Sequence, residues 1–339
     1  MAATLVEVAR RAQVSKSTVS LVINGSSLVH PGTAARVMEA IAELNYVPNR
    51  SARVLQSGRS HLIGIIVSDI TNPYFAELVR SVFTTAKAEA YDGFVFDTDY
   101  DTERLLQHLD HLRPHRPDGI LLLTTEQSET ALARLEEINL PAVVLNWGVT
   151  GRRVSEIAVD YALGMTQLID HLGALGHRRL AFVGGLREYH STYAREQAFQ
   201  HVIAAQGARF EAPILWRGDF RPQIETGVRI VEQCKALPPA QRPTAIVASS
   251  DLMALSILRA LATAGVRVPA DISVAGIDDI ALASFVTPAL TTLRLPRRMM
   301  GAWAFTLLKQ MIDDPKLTPA AYVAEPRLIM RESVAAAPH

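Results

Sequence analysis

Short apolar runs alternate with helix-like patterns between residues 62 and 278, and this alternation constrains the fold more than any other feature. The runs read LIGIIVS, GFVFDT, GILLLT, AVVLN, LAFVGG, AIVAS and SVAGID. The segments between them, such as AELVRSVFTTAKAEAY, have the spacing of amphipathic helices. Apolar strands that alternate with helices are typical of parallel sheets covered on both faces. Because about 280 residues exceed one ordinary doubly wound unit, we expect an α/β domain of two doubly wound lobes with a cleft between them.

The first sixty residues follow a different, all-α pattern. Apolar residues at helical spacing predict a first helix over 5–12, and Ser15 can cap a second helix over 16–23. A third helix begins at Pro31, a residue that suits a first helical turn. Two short helices joined by a tight turn form the helix-turn-helix arrangement, with small hydroxylated residues on the outer face of the second helix. The alternative is a three-helix mini-domain without a DNA role.

The charge distribution favours the DNA-binding interpretation. The whole chain is formally neutral, with 34 basic and 34 acidic residues. The first sixty residues contain seven basic and three acidic ones, so a basic head precedes an acidic body. Basic side chains gain free energy from counterion release when they bind phosphates. The head is therefore a candidate nucleic-acid-binding segment.

Several motifs, in order along essentially the whole chain, resemble one known family. LVEVARRAQVSKSTVSLVING and ELNYVPNRSARVLQSGRS resemble the headpiece and hinge of the lactose-repressor/galactose-repressor family of bacterial transcription regulators. LIGIIVSDITNPYFAELV, RPDGILLL, GHRRLAFVGG and TPALTTLRLP resemble strands and loops of its effector domain. The resemblance implies a repressor with a helix-turn-helix headpiece, a hinge, and a two-lobed domain similar to periplasmic sugar-binding proteins, controlled allosterically by an effector.

The resemblance also implies domain boundaries. We expect a DNA-binding headpiece over 1–48, a hinge helix and linker over 49–60, and an effector-binding and dimerisation domain over 61–339. Within that domain the chain should pass between the lobes near residues 160, 291 and 323. The N-lobe would then comprise about 61–160 and 292–322, and the C-lobe about 161–291 and 323–339.

The family's DNA-binding mode implies a set of contact residues. The second helix would enter the major groove of a double-stranded palindromic operator, and a homodimer would bind the two half-sites. Leu21 can contact a thymine methyl group but donates no hydrogen bond. Leu55 would wedge into the minor groove from a hinge that folds only on DNA. The candidate DNA-binding residues are Ser15, Lys16, Ser17, Thr18, Ser20, Leu21, Asn24, Thr33, Asn49, Arg53 and Leu55.

Polar and aromatic residues at the ends of the predicted strands form a candidate effector site, because ligands of open α/β sheets bind at the carboxyl ends of strands. By resemblance, Arg195 and Asp278 would hold polar groups of the effector. Purine-responsive relatives have a basic residue where this chain has Tyr189, which favours a sugar or sugar derivative. The candidate effector-binding residues are Tyr74, Phe75, Trp147, Asp160, Tyr189, Ser191, Arg195, Phe220 and Asp278. Each aromatic residue alone is more often an ordinary core residue.

Enzymatic interpretations have little support. The sequence contains no dinucleotide fingerprint, no phosphate-binding loop and no nucleophile elbow, so we expect no catalytic residues and no cofactor. Pro114 interrupts the helix before His115 could join His108 and His111, so we expect no metal site. The remaining alternatives are a solute-binding protein for sugar transport, a sugar-modifying enzyme and a nucleobase-responsive regulator.

The sequence indicates where in the cell the protein is located, but it does not indicate whether the effector raises or lowers operator affinity. The single cysteine, the absence of a secretory pattern in MAATLVEVARRAQVS and the lack of a long apolar stretch favour a cytoplasmic protein, nucleoid-associated when bound to DNA, with no membrane partner. Family members both lose and gain operator affinity with effector, so inducer and corepressor both remain open.

Overall fold

The structure, a computed structural model, describes residues 3–23, 26, 28–46, 59–148, 151–185, 190–218 and 224–338. The chain separates into two compact units, Met1–Ser60 and His61–His339. The hinge residues Asn49, Arg53 and Leu55 lie outside the described residues, as does Asn24.

The first unit contains α1 (Leu5–Ala12), α2 (Lys16–Ile23) and α3 (Pro31–Glu43), which confirms the three predicted helices. Thr4 and Glu7 form a capping box at the start of α1. Ser15 caps α2, because its Oγ accepts a hydrogen bond from the Thr18 backbone N–H at 3.1 Å. The three helices enclose a small apolar core of Val8, Ala9, Ala12, Val19, Val37, Ala40 and Tyr46.

The second unit alternates strands and helices through most of its length, as the apolar runs predict. In chain order its elements are β1 (Leu62–Val67), α4 (Pro73–Ala88), β2 (Asp92–Asp97), α5 (Thr102–Leu112), β3 (Gly119–Leu123), α6 (Glu129–Ile138), β4 (Ala142–Leu145), β5 (Val154–Val159), α7 (Tyr161–Ala174), β6 (Leu180–Gly184), α8 (His190–Ala205), β7 (Ile214–Arg217), α9 (Ile224–Ala236), β8 (Ala245–Ala248), α10 (Asp251–Thr263), β9 (Ser273–Asp278), β10 (Thr291–Arg294), α11 (Arg297–Asp313), β11 (Ala321–Ala324) and β12 (Arg327–Ile329).

The strands form two six-stranded sheets, and each sheet is the centre of one lobe. The first sheet has the order β11-β5-β4-β3-β1-β2 and is parallel throughout. The second has the order β12-β10-β9-β8-β6-β7 and is parallel except for the β10–β12 pair. Two mostly parallel sheets with crossover helices confirm the predicted doubly wound lobes.

Helices cover both faces of each sheet. In the first lobe α4 packs with α11, and α5 packs with α6; in the second lobe α7 packs with α8, and α9 with α10. The largest apolar cluster includes Ile65 and Phe75 of the first lobe together with Phe182 and Phe199 of the second. Because this one cluster contains strand and helix residues of both lobes, the two lobes share part of one core.

The chain passes between the lobes three times, close to the expected positions. The first passage follows β5 at Asp160. The second follows Arg294 rather than residue 291, because Thr291–Arg294 pairs with β9 in the second sheet. The third follows Ala324, next to the expected residue 323, because Ala321–Ala324 pairs with β5 in the first sheet.

The sequence patterns missed β5, a strand whose inner positions are polar. Ser155 and Glu156 are both buried in it. The Ser155 Oγ accepts a hydrogen bond from the Ala320 backbone N–H at 3.1 Å, and Glu156 Oε1 accepts one from Gly148 N–H at 2.6 Å. Backbone N–H groups outside β5 bond these two side chains, so polar residues can be buried in this strand. The sequence of β5 therefore lacks the apolar run by which other strands were predicted.

Candidate functional site

Arg195 and Asp278 form a buried ion pair between α8 and the carboxyl end of β9. Arg195 Nη2 lies 3.3 Å from Asp278 Oδ1, and the two side chains are only 7% and 5% exposed. Arg195 Nη1 also donates to the carbonyl oxygen of Ser249, whereas its Nε is buried without a hydrogen-bond partner. Burial raises the pKa of Asp278, although the nearby Arg195 and Arg297 charges act in the opposite direction. The Arg195 Nε–H is therefore a buried donor that the protein itself does not satisfy.

Tyr161 supports the arginine from one side. The Arg195 guanidinium carbon lies 5.1 Å from the centre of the Tyr161 ring, a distance at which a cation–π contact is favourable. Asn146 Nδ2 donates to the Tyr161 hydroxyl at 3.4 Å, and Asn146 Oδ1 accepts from Val159 N–H at 2.7 Å. Asn146 and Tyr161 follow neighbouring strands of the first sheet, so the first lobe orients a charged group of the second.

Tyr74 and Phe75 begin α4 at the carboxyl end of β1. Asn72 caps this helix through a 3.0 Å hydrogen bond from Tyr74 N–H, and Pro73 occupies the first turn. The two rings are buried and meet edge to face, with centroids 5.0 Å apart. Burial raises the pKa of Tyr74, and the Arg195 and Asp278 charges also act on it. Tyr74 belongs to the same apolar cluster as Tyr161, whose ring contacts Arg195.

The other predicted effector residues have varied environments. Trp147 is buried in the separate apolar cluster under α5 and α6, and its Nε1 has no hydrogen-bond partner. Asp160 caps α7, because its Oδ1 accepts from Leu163 N–H at 2.9 Å. Ser191 lies in the first turn of α8. Tyr189 and Phe220 lie outside the described residues.

Arg297 is a site residue that sequence reasoning missed. Its Nε donates to Glu77 Oε2 at 3.0 Å in the first lobe, and its Nη2 donates to the Asp279 carbonyl at 2.6 Å in the second. Its Nη1 is buried without a hydrogen-bond partner. Arg297 follows a passage between the lobes at the start of α11, and nothing in the local sequence marks it as buried. It joins the two lobes beside the ion pair.

The first unit has an exposed polar surface at the start of α2. Lys16 and Ser17 are exposed, and Thr18, Ser20 and Thr33 are partly exposed. Leu21 is exposed as well, at 39% of its surface. The Ser15 hydroxyl contacts Thr18 Oγ1 at 2.9 Å and caps the helix, so it already has partners within the protein. The exposed residues are of the types that contact phosphates and base edges.

The described part of the chain contains neither a candidate metal cluster nor a helix suited to a membrane. No group of three or more His, Cys, Asp or Glu residues there could hold a metal ion. Within the same residues, no helix is long and apolar enough to span a membrane.

Two family models match this chain. The model described as bacterial regulatory proteins, lacI family, matches residues 4–49, and the periplasmic binding protein-like domain matches residues 169–334. Among curated proteins, the HTH-type transcriptional repressor PurR of Aliivibrio fischeri strain MJ11 is 32% identical, with 98% of each chain covered. The ribose operon repressor of Haemophilus influenzae is 33% identical, also over 98% of each chain.

Solved structures give the same result. The lac repressor dimer bound to operator and the anti-inducer ONPF has a TM-score of 0.86 at 28% identity, covering 99% of this chain and 100% of that one. The complex of the transcriptional regulator CelR with cellobiose has a TM-score of 0.71 at 30% identity, covering 98% and 99%.

The headpiece, the two lobes and the buried polar site define a DNA-binding transcriptional repressor with a small-molecule effector domain. The chain belongs to the lacI family of bacterial regulatory proteins. This confirms the resemblance, the fold class and the helix-turn-helix interpretation. The relatives are transcriptional repressors rather than enzymes.

Proposed function

We propose that this chain represses transcription as a homodimer on a palindromic operator, and that a small polar molecule held by Arg195 and Asp278 sets its operator affinity. A two-fold symmetric dimer reads two inverted half-sites, and the similar lac repressor structure is a dimer on operator DNA. A repressor acts where the DNA is, so its proposed location is the bacterial cytoplasm, on the nucleoid when DNA-bound.

The buried Arg195–Asp278 pair carries the effector part of the proposal. A charged pair excluded from water costs free energy unless further hydrogen bonds satisfy it. The buried Nε of Arg195 and Nη1 of Arg297 are both unsatisfied donors. Since a buried donor left without an acceptor is costly, a ligand rich in oxygen acceptors would gain affinity by supplying them.

The effector class that we propose is a sugar or sugar derivative. Arginine and carboxylate groups suit adjacent hydroxyls, and the Tyr74 ring offers an apolar face to C–H bonds. Relatives point the same way, because the similar structures include one with cellobiose and one, at 25% identity, with bound ribose.

A nucleobase is the second candidate. Several relatives at 32–34% identity are the nucleobase-responsive repressor PurR. Arginine and aspartate can also pair with the edge of a purine, and aromatic rings can stack on it. The residues that would separate the two classes include Tyr189 and Phe220, which lie outside the described residues.

A thermal-shift panel tests the effector class. D-ribose, cellobiose, ribose 5-phosphate, hypoxanthine and guanine are added to the full chain, because a ligand that binds only the native state raises the melting temperature. We expect stabilisation by a sugar or sugar phosphate and none by the bases. Stabilisation by hypoxanthine or guanine alone would replace the sugar with a nucleobase. Unchanged melting across the panel would reject both classes.

Leu55 tests the DNA part. An operator is first selected from duplexes randomised within two inverted half-sites. If Leu55 wedges into the minor groove, Leu55→Ala should weaken operator binding at least about tenfold, or about 1.4 kcal/mol. Gln56→Ala is the matched control in the hinge and should bind within about threefold of wild type. Wild-type operator affinity of the Leu55 variant at matched salt would exclude the wedge.

A further inference from the structure

Asp251 is a fully buried carboxylate for which the proposed site has no assigned role. It is the first residue of α10. Its own helix does not need it as a cap, because Ser250 Oγ already accepts from Met253 N–H at 3.2 Å. Burying a carboxylate costs free energy unless hydrogen bonds satisfy it, so the explanation for Asp251 lies in contacts outside α10.

The Asp251 carboxylate reaches two other segments of the second lobe. Its Oδ2 accepts a 2.8 Å hydrogen bond from the backbone N–H of Ile280, two residues beyond Asp278. Its Oδ1 accepts a 2.5 Å hydrogen bond from the Thr292 hydroxyl in β10. The Asp251 carboxylate therefore connects the start of α10 both to the bend at 278–280 and to β10.

Gly276 supplies independent evidence that this arrangement is built into the fold. A Cβ atom at position 276 would lie only 2.3 Å from Asp251 Oδ1. Atoms that are not bonded do not approach so closely, so only glycine lets the carboxylate rest against β9.

The bend that Asp251 contacts has an unusual backbone. Asp278 has a φ of +125° and Asp279 a φ of +56°, a region that residues other than glycine rarely adopt. Such conformations persist where surrounding contacts determine them. Asp279 is anchored by Arg294 and Arg331 at 2.6 and 2.5 Å, and Ile280 is anchored by Asp251.

We propose that Asp251 is a positioning residue for the effector site, holding the 278–280 bend so that the Asp278 carboxyl faces Arg195. The inference rests on the proposed function in that Asp278 binds effector, but the hydrogen bonds belong to the protein without ligand. The effect of Asp251 on the 278–280 bend can therefore be measured without knowing the effector.

Hydrogen exchange of backbone amides in the full chain measures directly how strongly Asp251 stabilises the bend. Asp251→Ala removes the acceptor of the Ile280 amide, and exchange over 276–284 should accelerate at least about tenfold. Asp251→Asn keeps a side-chain carbonyl for Ile280 and an amide group that can donate to Thr292, so exchange should stay within about threefold of wild type. Ser256→Ala is the matched control, because it removes a buried hydroxyl that bonds Met253 within α10 and leaves the bend untouched.

The outcomes separate positioning from a general weakening of α10. Selective acceleration in the alanine variant, with rescue by asparagine, supports the proposal. Wild-type exchange in Asp251→Ala, equal acceleration in Asp251→Asn, or equal acceleration in Ser256→Ala overturns it. If Asp251→Ala does not fold, Thr292→Val removes only the Oδ1 partner, and it should accelerate the same segment by a smaller factor; no acceleration there overturns the proposal.

A second measurement tests whether the stabilisation of the bend by Asp251 affects effector binding. The D-ribose, cellobiose and hypoxanthine thermal shifts are repeated on both Asp251 variants. For any compound that stabilises wild type, Asp251→Ala should weaken affinity about tenfold and Asp251→Asn much less. Undiminished affinity in Asp251→Ala would overturn the positioning role. If no compound stabilises wild type, the proposed effector classes fail while the exchange result still decides the role of Asp251.

Discussion

The two lobes contribute chemically different halves to the site. The first lobe supplies aromatic rings, Tyr74 and Phe75, from the start of α4. The second supplies the Arg195–Asp278 ion pair, from α8 and the end of β9, whereas Arg297 at the start of α11 is a charged site residue of the first lobe. An apolar half stabilises the fold whether or not ligand is present, whereas a charged half depends on how its donors and acceptors are paired.

The buried carboxylates of the lobes differ in the same way. In the first lobe Glu126 is bound by the hydroxyls of Ser68 and Thr98 and by the Thr125 N–H at 3.1 Å. These partners follow three neighbouring strands, so Glu126 ties the strand ends of its own sheet. In the second lobe Asp251 lies near another carboxylate, Asp278, which raises its pKa. The carboxylate of the first lobe thus has only the neutral partners named here, whereas that of the second lobe also interacts with neighbouring charges.

The largest expected effect is on the apolar half. Phe75→Ala should lower the free energy of unfolding by about 3–5 kcal/mol, because it leaves a cavity in the cluster shared by the lobes. Urea unfolding of the variant measures this. Met330→Ala, at a side chain 65% exposed, is the control and should change stability by less than about 0.5 kcal/mol. If Phe75→Ala lowers the free energy of unfolding by less than about 1 kcal/mol, the aromatic residues of the first lobe do not stabilise the fold as proposed.

The next effect is on the charged half. Arg195→Ala should weaken effector affinity by about 10- to 100-fold and leave effector-free operator binding near wild type, because ligand acceptors and Asp278 lose their donor. Calorimetry with the compound found by thermal shift measures it. Arg209→Ala, which breaks an exposed pair with Asp170, is the control from the same lobe. Unchanged affinity in Arg195→Ala would remove the distinction between the halves.

The smallest effect is a pH dependence in the second lobe. Burial and the neighbouring Asp278 and Asp279 charges raise the pKa of Asp251 to about 7, while hydrogen bonds from Thr292 and Ile280 act to lower it. The folded protein thus holds a proton that the unfolded chain releases near pH 4, and the associated stability is lost as pH rises through 7. Asp251→Asn stays neutral, so between pH 6 and 8 it should gain about 1 kcal/mol relative to wild type.

Thermal unfolding of wild type and Asp251→Asn across this pH range checks the sign. Thr98→Val in the first lobe is the comparison, because it removes a hydroxyl donor from Glu126 and should lower stability. Parallel stability curves for wild type and Asp251→Asn would show that Asp251 does not titrate in this window.

Local sequence was sufficient for the elements with strong periodicity. The headpiece helices and β1, β3 and β8 follow from apolar spacing, capping residues and short apolar runs. The edge strands β11 and β12 were not predicted, because exposed residues interrupt their apolar pattern. The second passage between the lobes follows Arg294 rather than residue 291, because strand pairing, rather than composition, decides to which sheet a segment belongs.

By itself, the sequence determined the family, the helix-turn-helix and the alternation that builds two lobes, because these depend on spacing within about twenty residues. The tertiary structure decided which charges meet. Arg195 and Asp278 are 83 positions apart, and Arg297 and Glu77 are 220 apart. No local pattern encodes such pairs, since they form only when separate crossovers bring strand ends together. The same reason hides Asp251, whose partners Ile280 and Thr292 reach it only through the order of strands in the second sheet.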